Sequence, residues 1–262
     1  MCKDCGCSMG NHAHSHEHTH NGLTHTHSHE HIGEHTHDHH AHPALNEKKT
    51  VEVIEKILKE NDHEAEHNRS HLDEHGILCI NLMSSPGAGK TTLLEATIKN
   101  GDFKIGVVEG DLETNQDANR ILKAGAKAHQ ITTGQTCHLD AFMVHEGLHH
   151  LPLSELDLVF IENVGNLVCP ASYDVGAHIN AVLLSVPEGG DKVTKYPVMF
   201  RAADVLIITK TGLLEHFDFD IGEVKKDARK LNPKVDIIEV DSRTGAGIEQ
   251  WINYIKMKKE FR

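Results

Sequence analysis

Four groups of residues in this chain have types and spacing suited to chemistry. The first opens the sequence: Cys2, Cys5 and Cys7 in a Cys-x-x-Cys-Gly-Cys start, then a comb of histidines at His12, His14, His16, His18, His20, His25, His27, His29, His31, His35, His37, His39, His40 and His42. Thiolate and imidazole are donors that borderline transition metals prefer, whereas Mg²⁺ and Ca²⁺ take oxygen. The second is Ser84-Ser85-Pro86-Gly87-Ala88-Gly89-Lys90-Thr91. A loop of this kind cradles phosphate with backbone N–H groups and a helix N-terminus, while Lys adds charge and Thr holds Mg²⁺. Ser84 stands where the strict pattern has glycine, but Gly89, Lys90 and Thr91 fill its distinctive end. Pro86, Gly87, Ala88 and Thr92 complete the expected phosphate contacts.

The third group is acidic. Asp157-Leu-Val-Phe-Ile-Glu162-Asn-Val-Gly165 reads as an apolar strand ending in Glu-x-x-Gly, so Glu162 is a candidate Mg²⁺ partner and the Gly165 N–H a candidate γ-phosphate sensor. Asp111, in Val108-Glu-Gly-Asp-Leu-Glu-Thr114, is a second Mg²⁺ candidate, with a helix N-cap as its alternative role. The fourth group is Cys137-His138 with Cys169, an N/S set suited to Zn²⁺ or Ni²⁺. Spacing alone leaves open that these cysteines are merely buried. Cys79 alternates inside a strand and reads as core. His129, His178 and His216 read as ordinary surface or core residues.

The elements that must position these groups alternate. Strands are expected at 77–83, 104–108, 128–131, 158–161, 181–186, 205–208 and 235–240. Helices are expected at 91–100, 115–124, 138–149, 221–231 and 248–258. This alternation predicts an α/β fold with a mostly parallel sheet covered by helices on both faces. Residues 1–45 hold almost no apolar side chains and read as a Cys/His-rich tail, disordered without metal. Val51, Ile54, Ile57 and Leu58 predict a short amphipathic helix within 46–76, and His63 to His75 reads as a polar linker. The phosphate-binding domain then occupies 77–262.

Composition excludes several classes. At 262 residues with a formal charge of −13, the chain lacks the basic balance of a nucleic-acid binder. No apolar run approaches the roughly 18 residues needed to span a bilayer, and the start lacks the pattern of a signal peptide. Six cysteines do not form a disulfide framework, which points to the cytoplasm.

Taken together, the chain resembles the hydrogenase nickel-incorporation GTPase family HypB over nearly its whole length. The matching stretches are Asn81 to Glu95, Val108 to Thr114, Thr132 to Ala141, Ile161-Glu-Asn-Val-Gly-Asn-Leu-Val-Cys-Pro170 and Lys195-Tyr-Pro197. The resemblance implies the P-loop NTPase fold of the SIMIBI class, GTP hydrolysis with Mg²⁺, and a nucleotide-dependent homodimer. It implies partners that supply or accept nickel, including a hydrogenase large-subunit precursor. It also places a tight nickel site on Cys2, Cys5 and Cys7, an internal Ni²⁺ or Zn²⁺ site on Cys137, His138 and Cys169, and a nickel reservoir on the histidine comb. The family's base-reading motif, [Asn/Thr]-Lys-x-Asp, falls on Thr209-Lys210-Thr211-Gly212, with Ser242 and Arg243 in the second base loop. Its carboxylate is missing here, so a weakened preference for guanine is expected, with GTP still the nucleotide. No residue stands out as a general base, so hydrolysis should be slow.

Overall fold

The computed structural model describes residues 18–20, 23–25, 48–111, 116–134 and 136–262. Chain contacts divide the protein into two units, Met1–Lys56 and Ile57–Arg262. In the first, strands β1 (His18–His20) and β2 (Leu23–His25) pair antiparallel with His18 opposite His25. Cys2, Cys5, Cys7 and the remaining histidines of the comb lie outside the described residues.

Helix α1 (Lys48–Glu74) runs for 27 residues and includes the stretch that reads as a polar linker. The difference has a specific cause. Asn61, Ala65, Asn68 and Leu72 recur at helical spacing and are all buried. Two of the four bury a polar side chain, so no apolar stripe announces the face. Asn61 Nδ2 donates to the Asp174 carbonyl at 2.8 Å, and its Oδ1 accepts from the Ala141 N–H at 2.9 Å. Asn68 Nδ2 donates to the Ala141 carbonyl at 2.8 Å. By contrast Val51, Ile54 and Ile57, which signalled a helix in the sequence, are exposed in it.

From residue 78 the chain alternates as expected: β3 (Leu78–Ser84), α2 (Lys90–Asn100), β4 (Ile105–Asp111), α3 (Gln116–Ala124), β5 (Lys127–Thr132), α4 (Ala141–His149), β6 (Leu158–Glu162), β7 (Ile179–Ser185), β8 (Val205–Thr209), α5 (Ile221–Leu231), β9 (Asp236–Glu239) and α6 (Ile248–Glu260). The seven strands after α1 form one sheet, ordered β5-β4-β6-β3-β7-β8-β9, with every pair parallel. Helices cover both faces, which is why β3, β6 and β8 are buried throughout. Leu78, Ile80 and Leu82 pack with Leu93, Leu94 and Trp251 on one side. On the other, Cys79 packs with Leu72, Val144 and Leu148, and so occupies the core position read for it.

The carboxyl ends of β3, β4 and β6 lie side by side, with Leu82 and Glu109 flanking Glu162. In open parallel sheets this edge is where ligands bind. Asn68→Ala strips Ala141 of a buried partner and is expected to cost about 1–3 kcal/mol, whereas Val53→Ala on the exposed stripe should stay within about 0.5 kcal/mol. Denaturant unfolding followed by the fluorescence of buried Trp251 checks both.

Candidate nucleotide and metal site

The phosphate loop leaves β3 at Ser84 and enters α2 at Lys90. Gly87 and Gly89 have φ of 75° and 101°, a left-handed conformation that glycine adopts without strain. The first turn of α2 contains no acidic side chain, so its N-terminal amides carry no competing negative charge. Lys90 is buried with Nζ 3.2 Å from Ser84 Oγ. Burial lowers its pKa, while Glu162 and other nearby carboxylates act in the opposite direction.

Thr91 Oγ1 donates to Glu162 Oε1 at 2.8 Å. Glu162 Oε2 is buried and has no hydrogen-bond partner among the described residues. Burial raises the carboxyl's pKa, with Lys90 and the Thr91 hydroxyl opposing the shift. A buried carboxylate oxygen left over beside a threonine hydroxyl and a phosphate loop is what a small, oxygen-preferring cation would satisfy. The fit to Mg²⁺ therefore rests on Glu162 and Thr91. Asp111 ends β4 by its backbone, but its side chain lies outside what is described. Thr92 is exposed, 3.4 Å from an Arg120 nitrogen. Ala88 is fully buried, and its carbonyl accepts from Thr209 Oγ1 at 2.7 Å.

Gly165 stands against the loop. A Cβ added there would lie 2.9 Å from both Cα and N of Pro86, so only glycine permits this approach. One residue on, Asn166 Nδ2 donates to the Cys137 carbonyl at 3.3 Å. Asn163 Oδ1 accepts from the Leu139 N–H at 3.0 Å, and its Nδ2 donates to Asn81 Oδ1 at 3.3 Å. Cys137, His138 and Cys169, distant in sequence, come together with their ligand atoms within 4.8 Å of one another. Cys137 Sγ donates to Cys169 Sγ at 2.8 Å, and the His138 ring stacks on Tyr173 at 3.9 Å. Burial lowers the His138 pKa, against the pull of Asp140, and so favours the neutral imidazole that ligates metal.

The base loop shows an arrangement that motif matching missed. Lys210 adopts φ 58° and its Nζ donates to the Gly87 carbonyl at 2.7 Å. Gly212 donates its N–H to Asp241 Oδ2 at 2.8 Å, and a Cβ at 212 would run into that same oxygen. A carboxylate thus stands beside the position where the motif lacks one. Burial alone would raise the Asp241 pKa, but N–H donation from Thr244, Gly212 and Arg243 outweighs it and keeps the group ionised. Arg243 itself is exposed and Ser242 half-buried. Asn163, Asn166 and Asp241 were not singled out beforehand. Asn163 and Asn166 lie in the matched Ile161–Pro170 stretch, which was the available signal for them.

Fold and loop together define a P-loop nucleotide-binding protein with an internal Cys/His cluster. Residues 78–239 match the family of CobW/HypB/UreG nucleotide-binding domains. The chain is 49% identical over 217 residues to the hydrogenase/urease maturation factor HypB of Helicobacter pylori, covering 81% of this chain and 89% of that protein. It is 42% identical to the hydrogenase maturation factor HypB of Escherichia coli K12, covering 83% and 76%. The crystal structure of H. pylori HypB in complex with nickel superposes with a TM-score of 0.75 at 48% identity, covering 77% of this chain and 95% of that one. HypB from Archaeoglobus fulgidus gives 0.72 at 43% identity, covering 77% and 100%. The chain belongs to the HypB family of hydrogenase and urease maturation factors. No described helix is long and apolar enough to cross a membrane.

Gly165→Ala is expected to weaken nucleotide affinity by about tenfold or more while leaving the fold intact, because the added methyl displaces Pro86 rather than core atoms. Nucleotide titration beside a thermal melt measures both.

Proposed function

We propose that this protein is a GTP-hydrolysing nickel metallochaperone for [NiFe]-hydrogenase maturation, in which nucleotide state sets the metal affinity of Cys137, His138 and Cys169. The observation that carries this reading is a single segment, 162–169. It begins at the carboxylate bonded to Thr91, passes Gly165 against the phosphate loop and Asn166 on the Cys137 carbonyl, and ends at Cys169. A shift of Gly165 on loss of the γ-phosphate would reach two metal ligands within a few residues, an ordering switch of a known kind. Mg²⁺, held by Thr91 and Glu162 and, from the sequence, by Asp111, would neutralise phosphate charge, and Lys90 would stabilise the transferring group. No residue stands out in the sequence as a general base, so hydrolysis should be slow and governed by assembly into a nucleotide-dependent homodimer.

The cysteine start fits a tight nickel site and the histidine comb a reservoir. Nickel would arrive from a maturation partner and pass to the hydrogenase large-subunit precursor. The Helicobacter relatives are named for urease as well as hydrogenase, which keeps a urease acceptor as the second reading. The cytoplasm is the compartment that suits these thiols.

On base preference we read Asp241 as the carboxylate that faces guanine in place of a residue at 212. The backbone N–H groups of Gly212, Arg243 and Thr244 hold this carboxylate in place, and in this reading a guanine N–H adds to them. On this reading guanine preference is retained, in place of the weakening that the missing carboxylate at 212 predicts. Asp241→Asn is expected to lower the GTP-over-ATP ratio at least about tenfold, and Gly212→Asp to leave it no higher than wild type. Competition binding reads both. For the switch itself, nickel affinity measured with GDP and with a non-hydrolysable GTP analogue should differ by about fivefold or more; equal affinities would sink the mechanism.

A further inference from the structure

A second cluster of metal-type donors lies away from the sulfur site, between α1 and α4. Helix α1 presents Glu64, His67 and His71, spaced to share one face. Helix α4 presents His145 and His149 one turn apart, in His145-Glu146-Gly147-Leu148-His149. Two histidines at i and i+4 are the spacing by which helices chelate metal. Glu64, His67 and His145 bring ligand atoms within 4.8 Å of one another. The Glu64 carboxylate is 3.1 Å from His145 Nδ1 and 3.6 Å from His67 Nδ1. The His71 ring centroid is 5.8 Å from that of His149.

The tautomer of His145 follows from its neighbours. Asn68 donates through Nδ2 to the Ala141 and Val175 carbonyls, which pins its amide and turns Oδ1 toward His145 Nδ1 at 2.9 Å. Nδ1 therefore carries the proton, and the lone pair sits on Nε2. His149 Nε2 lies 3.0 Å from that nitrogen, a hydrogen-bond distance at which His149 donates, so a metal ion would take the place of the shared proton. Two imidazole nitrogens bound to one ion at about 2.1 Å stand about 3.0 Å apart at a right angle and about 3.4 Å apart in a tetrahedral site. Glu64 and Asn68 behind His145 complete the carboxylate–histidine–metal arrangement that orients such ligands.

We propose that His145 and His149 chelate one divalent transition-metal ion of the nickel and zinc class through Nε2, with Glu64 positioning His145 and the α1 histidines offering further donors. The site is built from nitrogen and oxygen, on the helix that begins three residues after His138. It is independent of the sulfur ligands and of bound nucleotide.

The test uses the full chain carrying Cys137→Ser and Cys169→Ser, which silences the sulfur site and leaves the tail. Ni²⁺ is added beyond the capacity of the tail, without nucleotide, and amide signals are followed by NMR. Signals from 64–71 and 145–149 should be lost or shifted by the ion. Adding His149→Ala should restore them while the tail's response persists. His149 is exposed, so this variant should fold, and a Trp251 fluorescence melt verifies that it does. Glu64→Gln should weaken Ni²⁺ binding at these residues by roughly tenfold or more. Unaffected signals at 145–149 in the parent, or the same loss in the His149→Ala protein, would overturn the proposal. Neither result bears on the nucleotide-controlled site, whose two sulfur ligands are absent throughout.

Discussion

The arrangement of this molecule turns on the contact between Gly165 and Pro86. It is a steric constraint rather than a strong bond: two backbone segments touch where any side chain would hold them apart. Because they touch, the segment after Glu162 is seated directly on the loop that carries Lys90 and Thr91. Asn163 and Asn166 then grip the turn at Cys137–Leu139, so Cys137 and His138 are held relative to the same segment. Buried amide side chains suit this task, since each satisfies a backbone group that water cannot reach and is costly to release.

The same device recurs under α1. Asn61 and Asn68 satisfy the backbone of Ala141 at the start of α4, just after the turn that holds Cys137 and His138. The helix is thus coupled to the cluster through hydrogen bonds as well as through the apolar contacts of Leu72. A polar face of this kind ties a surface helix to one register, whereas apolar contacts alone tolerate sliding.

How much of this was legible in the sequence depends on the range of the interaction. Strand–helix alternation, the phosphate loop and the core role of Cys79 follow from local pattern, and the sheet formed accordingly. The second half of α1 did not read as helix, because its buried face is half asparagine. The Cys137–Cys169 pairing spans 32 residues and the Gly212–Asp241 contact 29. Neither is encoded by spacing: residue types suggest the first as an N/S set, and family resemblance supports it. The absent carboxylate at 212 was visible as a departure, but its neighbour Asp241 was not, since loops converge only once the sheet orders β8 beside β9.

In the proposed mechanism, segment 162–169 transmits nucleotide state to the metal ligands. The most direct measurement is the ratio of nickel affinities in the GDP and GTP-analogue states, compared between wild type and Asn166→Ala. If the segment is the route, the variant binds nucleotide and nickel but its ratio collapses toward one. A ratio unchanged by Asn166→Ala would contradict the account.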